Sequence, residues 1–403
     1  MPKHYNLENI YQILLILLAF LMPLTVFGAN LIIVIICFLW LFSGNYKSKF
    51  YRILESKLLI ASILFFCLHV LGLAWTDDLG WGFHIVHKMW YFLLLLPVLS
   101  SCMRKDNIPL YISSFLLAIF FTDVVSYLVW FELIPEFKHA QVKNPTPFMS
   151  HVSYNPILAL AIYVVLHQIL FNKNLGKVAF FVNVFFALTM TLNMFITGGR
   201  AGQVMFFSMI VIIVFQFFST ERIKSLFVIL ILVPVIFGSA YKLSPLFNER
   251  VNIAIEEVVN YNQNAEFPGS VGKRLTLAIN SIDIVKENPI FGVGTGDFPS
   301  EYQKMNIANN STTELNNASQ PHNMYLLISV QLGLLGLMSM MSIFYYQIRL
   351  SFNAQNKFLR DTGITLPCLF LVIMLSDSYL LGHFTTLVFI FFSAFLYKNF
   401  EKN

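Results

Sequence analysis

Of 403 residues, 57% are hydrophobic and only 12% are charged, and the mean hydropathy is +0.69. A soluble domain carries roughly 25% charged residues, so the composition excludes a water-soluble globule and points to a polytopic membrane protein. The formal charge of +5 is too small to suggest a nucleic-acid partner.

Apolar runs of helix-spanning length fall at 10–27, 29–43, 58–75, 85–101, 109–130, 153–170, 179–197, 203–219, 226–241, 323–347, 363–382 and 384–397. A straight crossing needs about 20 residues, so 29–43 and 384–397 read as short or tilted helices. The expected fold is all-α, with about 12 transmembrane helices. It divides into 1–241 (helices 1–9), one large outer loop at 242–321, and 322–403 (helices 10–12). Cys37, Cys67, Cys102 and Cys368 lie in apolar runs or at the edge of one, so no extracytoplasmic disulfide is implied. The first run is followed at once by a second and lacks a small-residue cleavage site, unlike a signal peptide.

Charge sets the orientation. With the N-terminus inside, the inner segments hold Lys47, Lys49, Arg52 and Lys57, then Arg104 and Lys105, Lys173 and Lys177, Arg222 and Lys224, and Arg349, Lys357 and Arg360. The short outer segments hold only Lys88, Lys138, Lys143 and Arg200. Basic residues favour the cytoplasmic side, so loop 242–321 is expected outside, in the periplasm if the cell has one. Within it, 251–260 and 271–287 read as amphipathic helices. The second has Val271, Leu275, Ala278, Ile282 and Val285 at helical spacing. Asn288-Pro289 should stop it. Gly292-x-Gly294-x-Gly296 should form a bend, and the Asn-rich stretch 306–320 should be mobile.

Several residues could carry chemistry. His322 lies in Pro321-His322-Asn323-Met324-Tyr325, where the outer loop meets a long apolar run. It is either a helix-capping His or a base. A helix N-terminus disfavours imidazolium and so keeps a neutral base available. Asn323 beside it could contact a substrate. Arg200, in Gly198-Gly199-Arg200-Ala201-Gly202, either snorkels to headgroups or clamps a phosphate bidentately. The glycines allow a tight turn there. Arg274, next to Lys273, opens the 271–287 helix, where the dipole disfavours a cation unless an anion offsets it. Lys88 and Asp123 are ionisable groups in or near spans and are candidates by default, although Lys88 could simply snorkel. His151 and Tyr154 open another span and could line the same cavity. Asp77-Asp78 with Trp75 and Trp81 reads as an interfacial belt. There is no His-Glu-x-x-His, no clustered Asp-x-Asp and no Cys pair, so no metal or cofactor is expected.

Two motif groups then carry a resemblance. One is Arg274-Leu275 with Glu287-Asn288-Pro289-Ile290-Phe291-Gly292-Val293-Gly294-Thr295-Gly296-Asp297-Phe298. The other is Pro321-His322-Asn323-Met324-Tyr325 with Gly333-Leu-Leu-Gly336, nine residues on. Together with Gly199-Arg200-Ala201-Gly202, they resemble the O-antigen ligase / O-antigen polymerase superfamily over about 190–340. The resemblance implies an integral membrane glycosyltransferase of the GT-C-like type that needs no metal. It implies a donor glycan linked to undecaprenyl diphosphate and, for a ligase, a lipid A–core acceptor at the periplasmic face of the bacterial inner membrane. Carried over by motif, His322 would be the general base, and Arg200 and Arg274 would contact the diphosphate. The His-Asn spacing and the single dominant outer loop favour ligase over polymerase. A protein O-oligosaccharyltransferase usually has a longer C-terminal part. A lipid-linked glycan flippase, from a different class, would not need an eighty-residue outer loop.

Overall fold

The computed structural model describes residues 2–261 and 269–400, with residues 2–6 described by backbone alone. It is all-helical apart from one small hairpin, Ala140–Gln141 against Asn144–Pro145. The helices are α1 (Pro2–Leu21), α2 (Val26–Phe42), α3 (Tyr46–Glu55), α4 (Lys57–Leu71), α5 (Leu79–Trp90), α6 (Leu96–Cys102), α7 (Ile108–Trp130), α8 (His151–Phe171) and α9 (Lys177–Ile196). They continue with α10 (Arg200–Phe217), α11 (Arg222–Leu243), α12 (Pro245–Val259), α13 (Ser270–Glu287), α14 (Phe298–Ala308), α15 (Met324–Phe352), α16 (Lys357–Ile373) and α17 (His383–Leu396). A π-helical stretch, Tyr91–Leu95, joins α5 to α6.

Among the described residues, eight helical segments are long and apolar enough to cross a membrane, or nine if the bent pair α2–α3 counts as one. The other apolar helices are shorter. The axis of α3 lies 114° from that of α2. Every apolar run holds a helix, but 363–382 is not a single one. It begins earlier, at Lys357, and stops at Ile373, and 374–382 turns back. α17 has only 14 residues, and Thr385 through Leu396 are all buried. A helix apolar all round belongs inside a bundle, so its brevity reflects enclosure by other helices. α11 is the opposite case. Leu226, Phe227, Leu230, Ile231 and Val235 are exposed along it, a surface suited to hydrocarbon and not to water.

The long loop between α11 and α15 is docked, and glycines dock it. Gly333 interrupts α15 at φ 60°, ψ −154°, a region that side chains avoid. Residues 289–297 lie along the break. Leu334 N donates to Pro289 O (2.8 Å), Val293 N to Val330 O (2.9 Å) and Gly294 N to Gln331 O (3.0 Å). Gly292 sits at φ 69°, and a Cβ there would lie 2.4 Å from the Gln331 carbonyl carbon. Asp297 fastens the far end. Its carboxylate accepts from Thr76 Oγ1 (2.6 Å), Asp77 N (2.9 Å) and Asp78 N (2.9 Å). The Asp77-Asp78 backbone is thus an anchor for the loop.

Two expectations for the loop change. α13 forms over 270–287, but its buried face is Gly272, Thr276, Leu277, Asn280, Ser281 and Ile284. The apolar stripe read from the sequence is rotated out, leaving Ile282 exposed. The polar face is buried because the loop satisfies it. Asn280 Nδ2 donates to Asn306 Oδ1 (2.8 Å), and Asn309 Nδ2 donates to Asn280 Oδ1 (2.9 Å). The same network orders the stretch expected to be mobile. Asn306 Nδ2 donates to Thr312 O (2.9 Å) and to Asn316 Oδ1 (2.7 Å).

Candidate active site

Arg200 is the first residue of α10, and its position depends on close helix packing. Gly199 and Gly202 face Asn155 of α8. A Cβ at Gly202 would lie 2.2 Å from Asn155 Cβ, and one at Gly199 2.7 Å from His151 O. Neither Gly198 nor Gly199 has a positive φ, so these glycines serve close approach and not a left-handed turn. Asn144 Oδ1 accepts from Gly198 N (2.9 Å) and fixes the entry to the helix.

The result is a cavity of about 130 Å³ into which α8, α10, α12 and α13 deliver His151, Arg200, Arg250 and Arg274. Tyr379, from the turn before α17, closes it. Among the described residues, none of the three arginines has a carboxylate partner. Glu257 accepts from Val271 N, and its charge offsets part of that of Arg200. Arg200 Nη1 and Tyr379 Oη are buried without a hydrogen-bond partner among the described residues. Three like charges and two unsatisfied donors cost free energy unless an anion offsets them. Burial and the nearby Asp377 charge raise the Tyr379 phenol well above its usual range, so it stays a donor.

A second space adjoins the first. Val204, Phe207, Phe237, Phe247, Val251 and Ile255 line an apolar groove of about 490 Å³ between α10, α11 and α12, with Arg200 and Arg250 at its edge. Arg200 and Arg250 therefore border both a polar cavity and an apolar groove.

His322 precedes α15 in a left-handed conformation, φ 50°, strained for a residue with a Cβ. Its Nδ1 donates to Asp377 Oδ1 at 3.2 Å, and Ser378 N donates to the same oxygen at 2.7 Å. A carboxylate only accepts, so Nδ1 carries the proton and Nε2 is left as the acceptor. The early end of α16 makes this possible, because its freed carbonyls hold the start of α15. Met324 N donates to Met374 O (2.9 Å) and Tyr325 Oη to Leu371 O (2.6 Å). The turn 377–379 thus links the histidine, through Asp377, to the arginine cavity, through Tyr379.

Of the residues singled out in the sequence, Arg200, Arg274 and His151 line one cavity, and Arg250 joins them. Asn323 caps α15, accepting from Leu326 N (3.1 Å) and donating to Leu375 O (3.2 Å). Lys273 pairs with Glu314 and does not line the cavity. Lys88 is half-buried on α5 and also lies off it. Tyr154 is fully buried beside Asp123 of α7, deeper than the cavity. The sequence reading missed Arg250 and Asp377. Asp377 carried a usable signal, being an ionisable residue inside the 363–382 apolar run. Arg250 sits one residue before the helix read at 251–260 and carried none.

Residues 185–341 match the family model described as O-antigen ligase. An uncharacterised protein of Haemophilus influenzae is 26% identical over 323 residues, spanning 77% of each chain. The matched segment contains the three arginines, the glycine-docked loop and His322. Over that segment this multi-pass membrane chain is similar to the O-antigen ligase family.

Proposed function

We propose that the protein is an O-antigen ligase. It would transfer a glycan from undecaprenyl diphosphate to a sugar hydroxyl of the lipid A–core, at the periplasmic face of the inner membrane, without a metal. The observation that carries this reading is a set of three arginines in a polar cavity, none in an ion pair among the described residues, two of which also edge an apolar groove. A prenyl diphosphate has both halves of that chemistry: an anionic head for the arginines and a hydrocarbon tail for the groove. In the reaction, His322 Nε2 takes the proton of the acceptor hydroxyl. The acceptor oxygen bonds to the anomeric carbon as the bond from that carbon to the diphosphate oxygen breaks. The electron pair leaves with undecaprenyl diphosphate, whose charge the arginines stabilise. Asp377 holds the imidazole in the required tautomer.

Deletion followed by a lipopolysaccharide gel tests the assignment. Loss of a ligase leaves core without O-antigen while lipid-linked polymer persists. Core capped with a single repeat unit would instead make the chain a polymerase.

A further inference from the structure

We propose that the end of the bundle opposite the arginine cavity binds the phosphate of an anionic lipid headgroup, seated among Lys49, Arg52 and Lys398. α17 connects the two ends, running from the turn that carries Tyr379 to Leu396, just before Lys398. At this far end is a cavity of about 690 Å³. It continues past Lys49, Arg52 and Lys398 into a second space of about 280 Å³, whose walls add Ile53, Leu59 and Pro97.

Among the described residues, Lys49, Arg52 and Lys398 form no ion pair, although Glu8, Glu55 and Asp106 also line these spaces. Lys398 Nζ donates to the carbonyl oxygens of Met103 (2.7 Å) and Ser101 (3.4 Å). Lys49 Nζ donates to the Trp40 carbonyl and to Ser43 Oγ (2.7 Å), 4.4 Å from the Trp40 ring centroid. Neither lysine nor Arg52 has a carboxylate partner among the described residues, whereas neighbouring Arg104 is paired with Glu8. Burial pulls the Lys398 ammonium down to about 8 and lowers Lys49 as well. An anion between them would restore what burial removes.

The helix that supplies two of the cations favours a lipid over free phosphate. α3 is bent 114° from α2 and exposes Tyr46, Phe50, Tyr51 and Leu54 while Lys49 and Arg52 line the cavity. Aromatic residues beside basic ones, on a helix lying across the bundle end, suit a membrane interface. Ile53, Leu59, Pro97 and Leu350 on one part of the smaller space's wall give an acyl chain an apolar surface to follow.

The test uses full-length protein, delipidated in neutral detergent. Native mass spectrometry reads retention of added phosphatidylglycerol against phosphatidylcholine, with inorganic phosphate as a competitor. Wild type should retain phosphatidylglycerol preferentially. Lys49→Met combined with Arg52→Gln should weaken that preference about tenfold, and Lys177→Met, on a remote basic surface, should leave it intact. If Lys398→Met fails to fold, the double variant still decides. Equal retention of both lipids, an unchanged preference in the double variant, or displacement by inorganic phosphate at the lipid's own concentration would each overturn the proposal.

Discussion

His322 has one ring nitrogen bound to Asp377 and the other left to accept a proton, and this asymmetry separates a base from a cap. Asn323, not His322, caps α15. His322→Ala should therefore leave insertion intact and lower turnover by about 10²–10⁴-fold. Asp377→Asn replaces a carboxylate that can only accept with a neutral amide that can also donate, so the tautomer is no longer fixed. It should reduce turnover less than His322→Ala, with donor affinity unchanged; wild-type turnover would remove Asp377 from the mechanism. The arginines make a parallel case. Lysine keeps the charge but not the planar fork, so Arg200→Lys, Arg250→Lys and Arg274→Lys should each impair transfer. Arg250→Lys is the most informative, because no motif pointed to that residue. Near-wild-type transfer in all three would make them surface cations. His322 and Arg200 were legible because each sits in a short motif at a helix start. The partner of His322 was not, since Asp377 lies 55 residues away in sequence and reaches it only because α16 ends early.

At the level of elements, helices were more legible than the faces they bury. α13 was read within a residue, yet its buried side is polar, because Asn306, Asn309 and Tyr302 supply hydrogen bonds that periodicity cannot reveal. The glycine pattern was read as a bend. Its role as a dock between residues 289–297 and the broken α15 needed the three-dimensional pairing. Gly333→Ala and Gly292→Ala force a side chain into backbone and into a conformation that costs about 1–3 kcal/mol. Each should lower the melting temperature in detergent and release loop 289–297 to protease. Unchanged melting and protease resistance in both would show that the dock does not hold the loop. The same network decides where a topology label can be placed. Ser311 is buried beside Asn280, so Ser319, which is exposed, is the better cysteine position. Ser319→Cys should react with an impermeant thiol reagent in intact spheroplasts. Labelling only after lysis would invert the topology.

On the scale of the whole molecule, composition and apolar runs gave the helical membrane architecture, and the charge bias gave an orientation still to be tested. Exact spans were less legible. Hydropathy cannot distinguish a helix enclosed by protein, such as α17, from one facing lipid, such as α11. The fold carries the arginines to one end of the bundle, with an apolar groove beside them. In the proposed mechanism arginines supply the positive charge for the departing diphosphate, so transfer should persist in EDTA. Activity lost and restored specifically by Mg²⁺ or Mn²⁺ would contradict that. The most direct test of the central claim is single-turnover transfer by purified protein in lipid, supplied with diphosphate-linked donor and core acceptor. Wild type and His322→Ala are compared at equal folded protein and saturating donor. The account predicts normal donor binding and a rate about 10²–10⁴-fold lower in the variant. Wild-type turnover per folded His322→Ala molecule would contradict it.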